Sequence, residues 1–253
     1  MSALTSPPSD HPPERPPERP LWVYRLGRVP YEEAWALQRA LVALRKEGAI
    51  PDVLLTLEHP AVVTLGRNAG AASLLLSEEA LAARGVQLVV SDRGGDATYH
   101  GPGQLVAYPI LDLRPDWADV PRFVRALEQV MLDVMASYGL EGGRVEGAPG
   151  AWLPHPDRKL GAVGARISRW VTHHGVALNI NTDLSHFGLI VPCGLVGKGV
   201  SSVARELGGV VDFEEARERL IARFAATFGR ARVDRDPQTL PPLAEGAAGG
   251  ESR

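Results

Sequence analysis

The sequence predicts a mixed α/β to α+β domain, a mixed β-sheet flanked by helices. Three observations lead there: apolar residues at helical spacing in three segments, short apolar runs between them, and glycine or proline at the junctions. In chain order, Ala34, Leu37, Leu41 and Leu44 recur three and four apart and Gly48 follows, so residues 31–47 read as an amphipathic helix. Runs at residues 52–58, 61–65, 86–91 and 105–111 read as strands. Val124, Leu127, Met131 and Val134 then mark a second helix, entered by Pro121 and ended by Gly139. Residues 159–168 and 172–179 give two more strands. A third helix starts at Asp212, with Glu215 in capping-box position, buries Phe213, Ala216, Leu220 and Phe224, and stops at Gly229. Several strand runs are apolar throughout, which predicts a sheet covered on both faces.

The chain has 253 residues, 45% of them hydrophobic and 23% charged, enough for a sizeable core without disulfides or metals. Residues 1–20 carry the proline-rich HPPERPPERP and read as a disordered or polyproline tail, and residues 236–253 as a low-complexity tail. Residues 21–235 between them form one catalytic-sized domain. The balance of 27 basic and 30 acidic residues, net −3, argues against a nucleic-acid-binding role. No apolar run nears the ~18 residues of a membrane span, and the first residues lack a secretory layout. The single cysteine, Cys193, excludes an internal disulfide and points to a reducing compartment, the cytoplasm.

Three patterns imitate known sites. GPGQLV at residues 101–106 has Val106 where a dinucleotide fingerprint has its third glycine, and it precedes a strand. GLVGKGVSS at residues 194–202 has Gly199 after the lysine where a phosphate loop needs Ser or Thr. His173, His174, His186 and Cys193 contain metal-ligating types, but adjacent histidines on a strand point to opposite faces, so no metal is expected.

Chemistry concentrates elsewhere. Arg93, Gly94, Gly95, Asp96, Ala97, Thr98, Tyr99 and His100 form a polar, glycine-rich stretch running into GPGQ between two apolar strands. Adjacent glycines permit close backbone approach and free N–H groups, and Arg93, Thr98 and His100 add side-chain donors. Cys193 lies between Pro192 and Gly194, at an irregular bend. A thiol with a pKa near 8.5 needs an activating cation to serve as a nucleophile; otherwise a lone cysteine is a small buried hydrophobe. Lys159, in an otherwise apolar, glycine-rich strand, is the best candidate cation, and Lys198 competes with it.

RGGDATYHGPGQ, RKLGAVGARISRWVTHHGVALNINTDL and IVPCGL, together with EHPAVVTLGR and GAPGAWL, closely resemble the octanoyltransferases of lipoate biosynthesis, over residues 21–229. Ser201-Ser202, where Thr-Ser is commoner, and the proline-rich tail depart from the pattern. The resemblance implies a biotin/lipoate protein ligase-like catalytic domain moving an octanoyl group from octanoyl-acyl carrier protein to a lysine of lipoyl domains. Those domains belong to 2-oxoacid dehydrogenase complexes and the glycine cleavage H protein. It implies Cys193 as the acyl-carrying nucleophile and Lys159 as the residue that lowers its pKa. Substrate contacts are implied at Arg93 to His100, at Ala162, Val163 and Gly164, and at Gly175, Val176 and Ala177.

No cofactor is expected, because a thioester donor needs no ATP. An apolar slot lined by Val163, Val176 and Leu178 is expected, with backbone oxyanion donors at Gly94–Gly95 or Gly164. Arg93, Arg166, Arg169 and Lys198 are expected to dock acidic carriers, and His100 either to orient substrate and shuttle a proton or to brace its loop. A monomer is expected. The alternatives are an ATP-dependent lipoate or biotin ligase on the same fold, and a non-catalytic paralogue that only binds lipoyl domains.

Overall fold

A computed structural model describes residues 19–70, 73–155, 157–190 and 198–241. Cys193 and most of both predicted tails lie outside the described residues. The chain opens with strand β1 (Arg19–Arg28), so Arg19 and Pro20, assigned above to the tail, belong to the sheet. Helix α1 (Tyr31–Lys46) follows, then β2 (Asp52–Glu58) and β3 (Val62–Leu65), all close to their predicted bounds. Next come α2 (Glu78–Ala82), β4 (Gln87–Val90), β5 (Ala97–His100) and β6 (Gln104–Ile110). Helix α3 (Val120–Ala136) precedes β7 (Gly150–Leu153), β8 (Arg158–Val163), β9 (Arg166–Ser168), β10 (Val171–His173) and β11 (Val176–Asn179). The last elements are β12 (Gly199–Val200), α4 (Val203–Leu207), α5 (Phe213–Phe228) and β13 (Arg230–Arg235). A 3-10 turn at Pro237–Thr239 follows, and Leu240 packs on the core, so the predicted C-terminal tail is ordered at its start.

The main sheet runs β12-β8-β11-β6-β2-β1-β13, with β7 also paired to β8. It is mixed: β1 is parallel to both β2 and β13, whereas β6 is antiparallel to β2 and β11. Leu54, Leu105 and Ala107 pack with Phe123, Leu127 and Phe224 of α3 and α5. Val53, Leu55 and Val106 pack with Leu37 and Leu41 of α1 on the other face. Hence the uninterrupted apolar runs: neighbouring residues of one strand enter two different cores. Asp212 caps α5 as the sequence predicts, accepting from Glu214 N and Glu215 N, and Gly229 ends it with φ 59°. Helix α3 is capped by Asp119, a residue the sequence reading did not name, which accepts from Arg122 N.

Two predicted strands are each split. Residues 159–168 divide into β8 and β9, and residues 172–179 into β10 and β11. At the second break His174 takes φ 53°, and Gly175 lies so close to β6 that a Cβ would stand 2.3 Å from Ala107 O. A second, smaller sheet, β4-β3-β5, lies beside the main one. Its strand β5 falls in what the sequence presents as loop, because Val62 to Leu65 pair antiparallel with His100 to Ala97.

Candidate active site

A cleft of about 410 Å³ lies between the two sheets, a size suited to a small ligand. One wall is the glycine-rich stretch between β4 and β5, and the other is β8 and β11. Lys159, Arg93 to Thr98, His100, Ala162 to Gly164 and Gly175 to Ala177 all line it. Tyr99 does not: successive residues of β5 face opposite ways, and its buried ring packs on His186 and Phe187 in the core of the small sheet. Burial pushes its hydroxyl pKa up to about 12. Leu178, expected in the acyl slot, faces the main core instead. Tyr31, Asn68, Gln104, Tyr108, Ala148, Asn179 and Phe187 line the cleft without having been singled out as site residues, and so does His174, named above only as a metal-ligating type. Gln104, Ala148, His174 and Asn179 lay in motifs already noted.

Arg93 is buried, and it holds the glycine-rich stretch closed. Its Nε donates to Thr64 Oγ1 at 2.9 Å, its Nη1 to Gly94 O at 3.0 Å, and its Nη2 to Thr64 O at 2.6 Å and Asp96 O at 2.5 Å. The carbonyls of Arg93, Gly95 and Asp96 accept from Arg67, Asn68 and Gly66. With these partners inside its own chain, Arg93 is a latch and not a docking residue. Among the described residues the N–H groups of Gly94 and Gly95 carry no acceptor, which leaves them available to a ligand oxygen. Gly164 is not an oxyanion donor, because its N–H bonds Gly175 O at 2.8 Å.

His100 braces the stretch. Its Nδ1 donates to Gln104 Oε1 at 2.7 Å, since the Gln104 amide nitrogen itself donates to Tyr99 O and Asn179 Oδ1. Asn179 continues the chain by donating to Ser201 O. Burial, with the neighbouring His59 and Arg93 charges, drives the His100 pKa well down. The ring is therefore neutral, with Nε2 left as its acceptor.

Rings form one end of the cleft. His59 donates Nδ1–H to Val29 O and accepts at Nε2 from Tyr108. His174 donates Nε2–H to Asp92 Oδ1 at 2.7 Å, with Tyr31 stacked on its ring. Burial lowers both His59 and His174 to about 4. Burial alone would raise the Asp92 carboxyl, but hydrogen bonds from His173 and His174 hold it well below the usual carboxylate range.

Contrary to the strand rule, His173 and His174 converge: the positive φ of His174 turns both rings onto Asp92, and the three ligand atoms lie within 4.8 Å of one another. Three such atoms could reach one ion, yet the Arg166 guanidinium already pairs with Asp92, and Lys46 and Arg169 stand nearby. The local charge favours the ion pair over a metal.

Lys159 sits half-buried on β8, its ammonium 5.1 Å from the centre of the Trp152 ring. Gly150 makes room for it: a Cβ there would stand 2.6 Å from the lysine Cε. Strand β12 pairs Val200 with Lys159, and Ser201 N donates to Lys159 O at 3.0 Å. Lys198, the competing cation, binds Asp157 at 2.9 Å.

Residues 30–225 match the lipoyl protein ligase A/B catalytic domain. This chain belongs to that family. Within it, the chain is 47% identical over 219 residues to an octanoyltransferase of Myxococcus xanthus, covering 85% of this chain and 61% of that one. It is 50% identical over 209 residues to the octanoyltransferase of Chloroflexus aurantiacus, covering 82% and 94%. Among solved structures, a putative lipoate protein ligase from T. acidophilum with bound lipoic acid superposes with TM-score 0.71 at 17% identity, over 91% of this chain and 93% of that one. A lipoate-protein ligase A bound with ATP gives 0.67 at 16%, over 91% and 92%. At those identities the two structures share the fold alone. No helix among the described residues is long and apolar enough to cross a membrane.

Proposed function

We propose that this octanoyltransferase works by two displacements through Cys193. In the first, the Cys193 thiolate attacks the carbonyl of an octanoyl thioester on the phosphopantetheine of acyl carrier protein. The C–S bond to the carrier breaks, and the carrier thiolate takes the proton of the Lys159 ammonium, which leaves that amine neutral for the second step. In the second, the neutral amine of a lipoyl-domain lysine attacks the enzyme thioester, and the Cys193 thiolate leaves as the amide forms. Lys159 stabilises the thiolate in the resting enzyme and takes the amine proton in the second step. The N–H groups of Gly94 and Gly95 receive the developing oxyanion.

The observation that carries this reading is the pairing of Val200 with Lys159, because β12 is the strand that follows the Cys193 segment. That segment leaves the described chain at Ile190 and returns at Lys198, and Phe187 and Val200, near its two ends, both line the cleft. Thioester exchange is nearly balanced and thioester-to-amide transfer runs downhill, so neither ATP nor another cofactor is required. The acceptors would be the lipoyl domains of 2-oxoacid dehydrogenase complexes and the glycine cleavage H protein, and the setting the cytoplasm.

Intact-mass measurement after incubation with octanoyl-acyl carrier protein tests this. An octanoyl adduct is expected on the wild type and none on Cys193→Ala; an unmodified wild type overturns the covalent route. Lys159→Arg is expected to acylate but to transfer poorly, since a guanidinium keeps the charge and does not accept a proton. Turnover that requires ATP and free octanoate would mean a ligase instead.

A further inference from the structure

A second depression, about 290 Å³, lies between the end of α1 and the β9–β10 hairpin, lined by Arg39, Lys46, Asp92, Arg166, Arg169 and His173. Four of those six carry permanent positive charge and one is a carboxylate, in a chain whose net charge is −3. Asp92 is engaged by Arg166 and the two histidines. Among the described residues neither Lys46 nor Arg169 has a carboxylate within ion-pair distance, and Lys46 donates only to Ser168 Oγ at 3.0 Å. Burial first, and then the like charges of Arg169 and Arg166, lower the Lys46 pKa. Cations crowded in this way repel one another, and an anionic partner would relieve that repulsion.

The hairpin supplies an independent observation. Ser168 pairs with Val171, leaving a two-residue turn whose members, Arg169 and Trp170, have φ 50° and 67°. Turns of this kind favour Asn and Gly, because a Cβ is strained there. Here the strained positions hold an exposed arginine and an indole left 36% exposed at the tip. Strain kept in an exposed turn is a mark of function, and Arg and Trp are the side chains that most often anchor protein interfaces. The depression also shares a wall with the cleft. Asp92, on its rim, is bonded to His174, which lines the cleft, and Ala165, next to Arg166, lines it too.

We propose that this basic depression and the Arg169–Trp170 tip form the docking surface for the acidic protein carrier that delivers the acyl thioester. The inference rests on the transferase reading above. A protein surface fits better than a bare phosphate. The cations are long side chains spread over an open hollow, an apolar indole stands on its rim, and α1 presents its C-terminal end, opposite to the end that binds phosphate.

The test uses the full chain with three octanoyl donors: octanoyl-acyl carrier protein, octanoyl coenzyme A, and octanoyl-N-acetylcysteamine, which has neither protein nor phosphate. For Lys46→Glu combined with Arg169→Glu, the KM for the carrier-borne donor is expected to rise about 10-fold or more with kcat within about two-fold. Acylation by both small donors should be unchanged. The wild-type KM for the carrier should rise with salt and the variant's should not. The milder Lys46→Gln with Arg169→Gln, which keeps the fold if the reversal does not, should raise that KM about three-fold. An unchanged carrier KM in either variant overturns the proposal. A loss with coenzyme A as large as with the carrier overturns it in favour of a phosphate site. Failure of the wild type to acylate with any of the donors would instead overturn the transferase reading beneath it.

Discussion

Two cations line the same cleft, and their surroundings are opposite. Arg93 is buried in the small sheet, with four hydrogen bonds returning to its own chain. Lys159 lies half-buried on the main sheet, above the Trp152 face and beside the strand that follows Cys193. The guanidinium, planar and permanently charged, suits a fixed lattice of carbonyls; the ammonium, compact and able to lose its proton, suits a reacting centre. A charge in a cleft is not by itself a catalytic group. What it is bonded to decides.

The comparison predicts a crossed pattern of effects. Lys159→Ala should cut octanoyl transfer by about 10²–10⁴-fold, while its denaturation free energy stays within about 1 kcal/mol of wild type, the size of the lost contact with the indole. A large fall in stability would place Lys159 beside Arg93 as a structural cation. Arg93→Ala should cost at least about 3 kcal/mol in urea unfolding, because it removes four hydrogen bonds of a buried guanidinium, to Thr64 Oγ1, Thr64 O, Gly94 O and Asp96 O. An Arg93→Ala protein of wild-type stability that had lost only activity would reverse the contrast.

The ring cluster at the cleft is pH-sensitive. His59 and His174 titrate near 4 when folded and near 6.5 when unfolded. The unfolded chain therefore binds more protons between those values. Stability should be complete above about pH 6.5 and fall as the pH drops toward 4. From pH 7 to 5 that amounts to about 2 kcal/mol per histidine, read as a lower urea midpoint. Asp92 has the same sign of dependence in a more acidic window: its carboxylate stays ionised in the folded chain after the unfolded carboxyl has protonated, so its contribution is complete above about pH 4 and is lost as the pH falls further. The smallest effect belongs to Ser202, whose hydroxyl caps α4 by accepting from Arg205 N at 3.2 Å. Ser202→Ala should cost about 1 kcal/mol and, if α4 steadies the Lys159 side, raise the KM for substrate before it lowers stability further.

Local chemistry was legible in the sequence, and spatial chemistry was not. Helix α5 could be read because Asp212, the apolar spacing and Gly229 are its own residues. The glycine-rich stretch and Lys159 stood out because glycine and lysine are unusual among apolar strands. Arg93 was misread as a free donor, since its acceptors sit on β3 and in the stretch's own backbone. Tyr31 and Tyr108 went unnoticed, and His174 was read only as a stray metal-ligating type, because each comes from a different element and they meet only in the folded chain. Their residue types carry no signal apart from that meeting. The histidine pair misled for a related reason: the break at His174 is imposed by Gly175 lying against β6, which no pattern within residues 172–179 discloses.

The parallel pairing of β1 with β13 also has a kinetic side. Arg19 lies opposite Arg230, so the first strand of the sheet finds its outer neighbour only among the last residues of the domain. During synthesis one edge of β1 stays open until β13 has left the ribosome, and contacts so distant in sequence close slowly. An unfinished strand edge is a template for pairing with other chains. The period of greatest aggregation hazard is therefore the interval just before release, and a ribosome stalled near the start of α5 would hold the chain in that state.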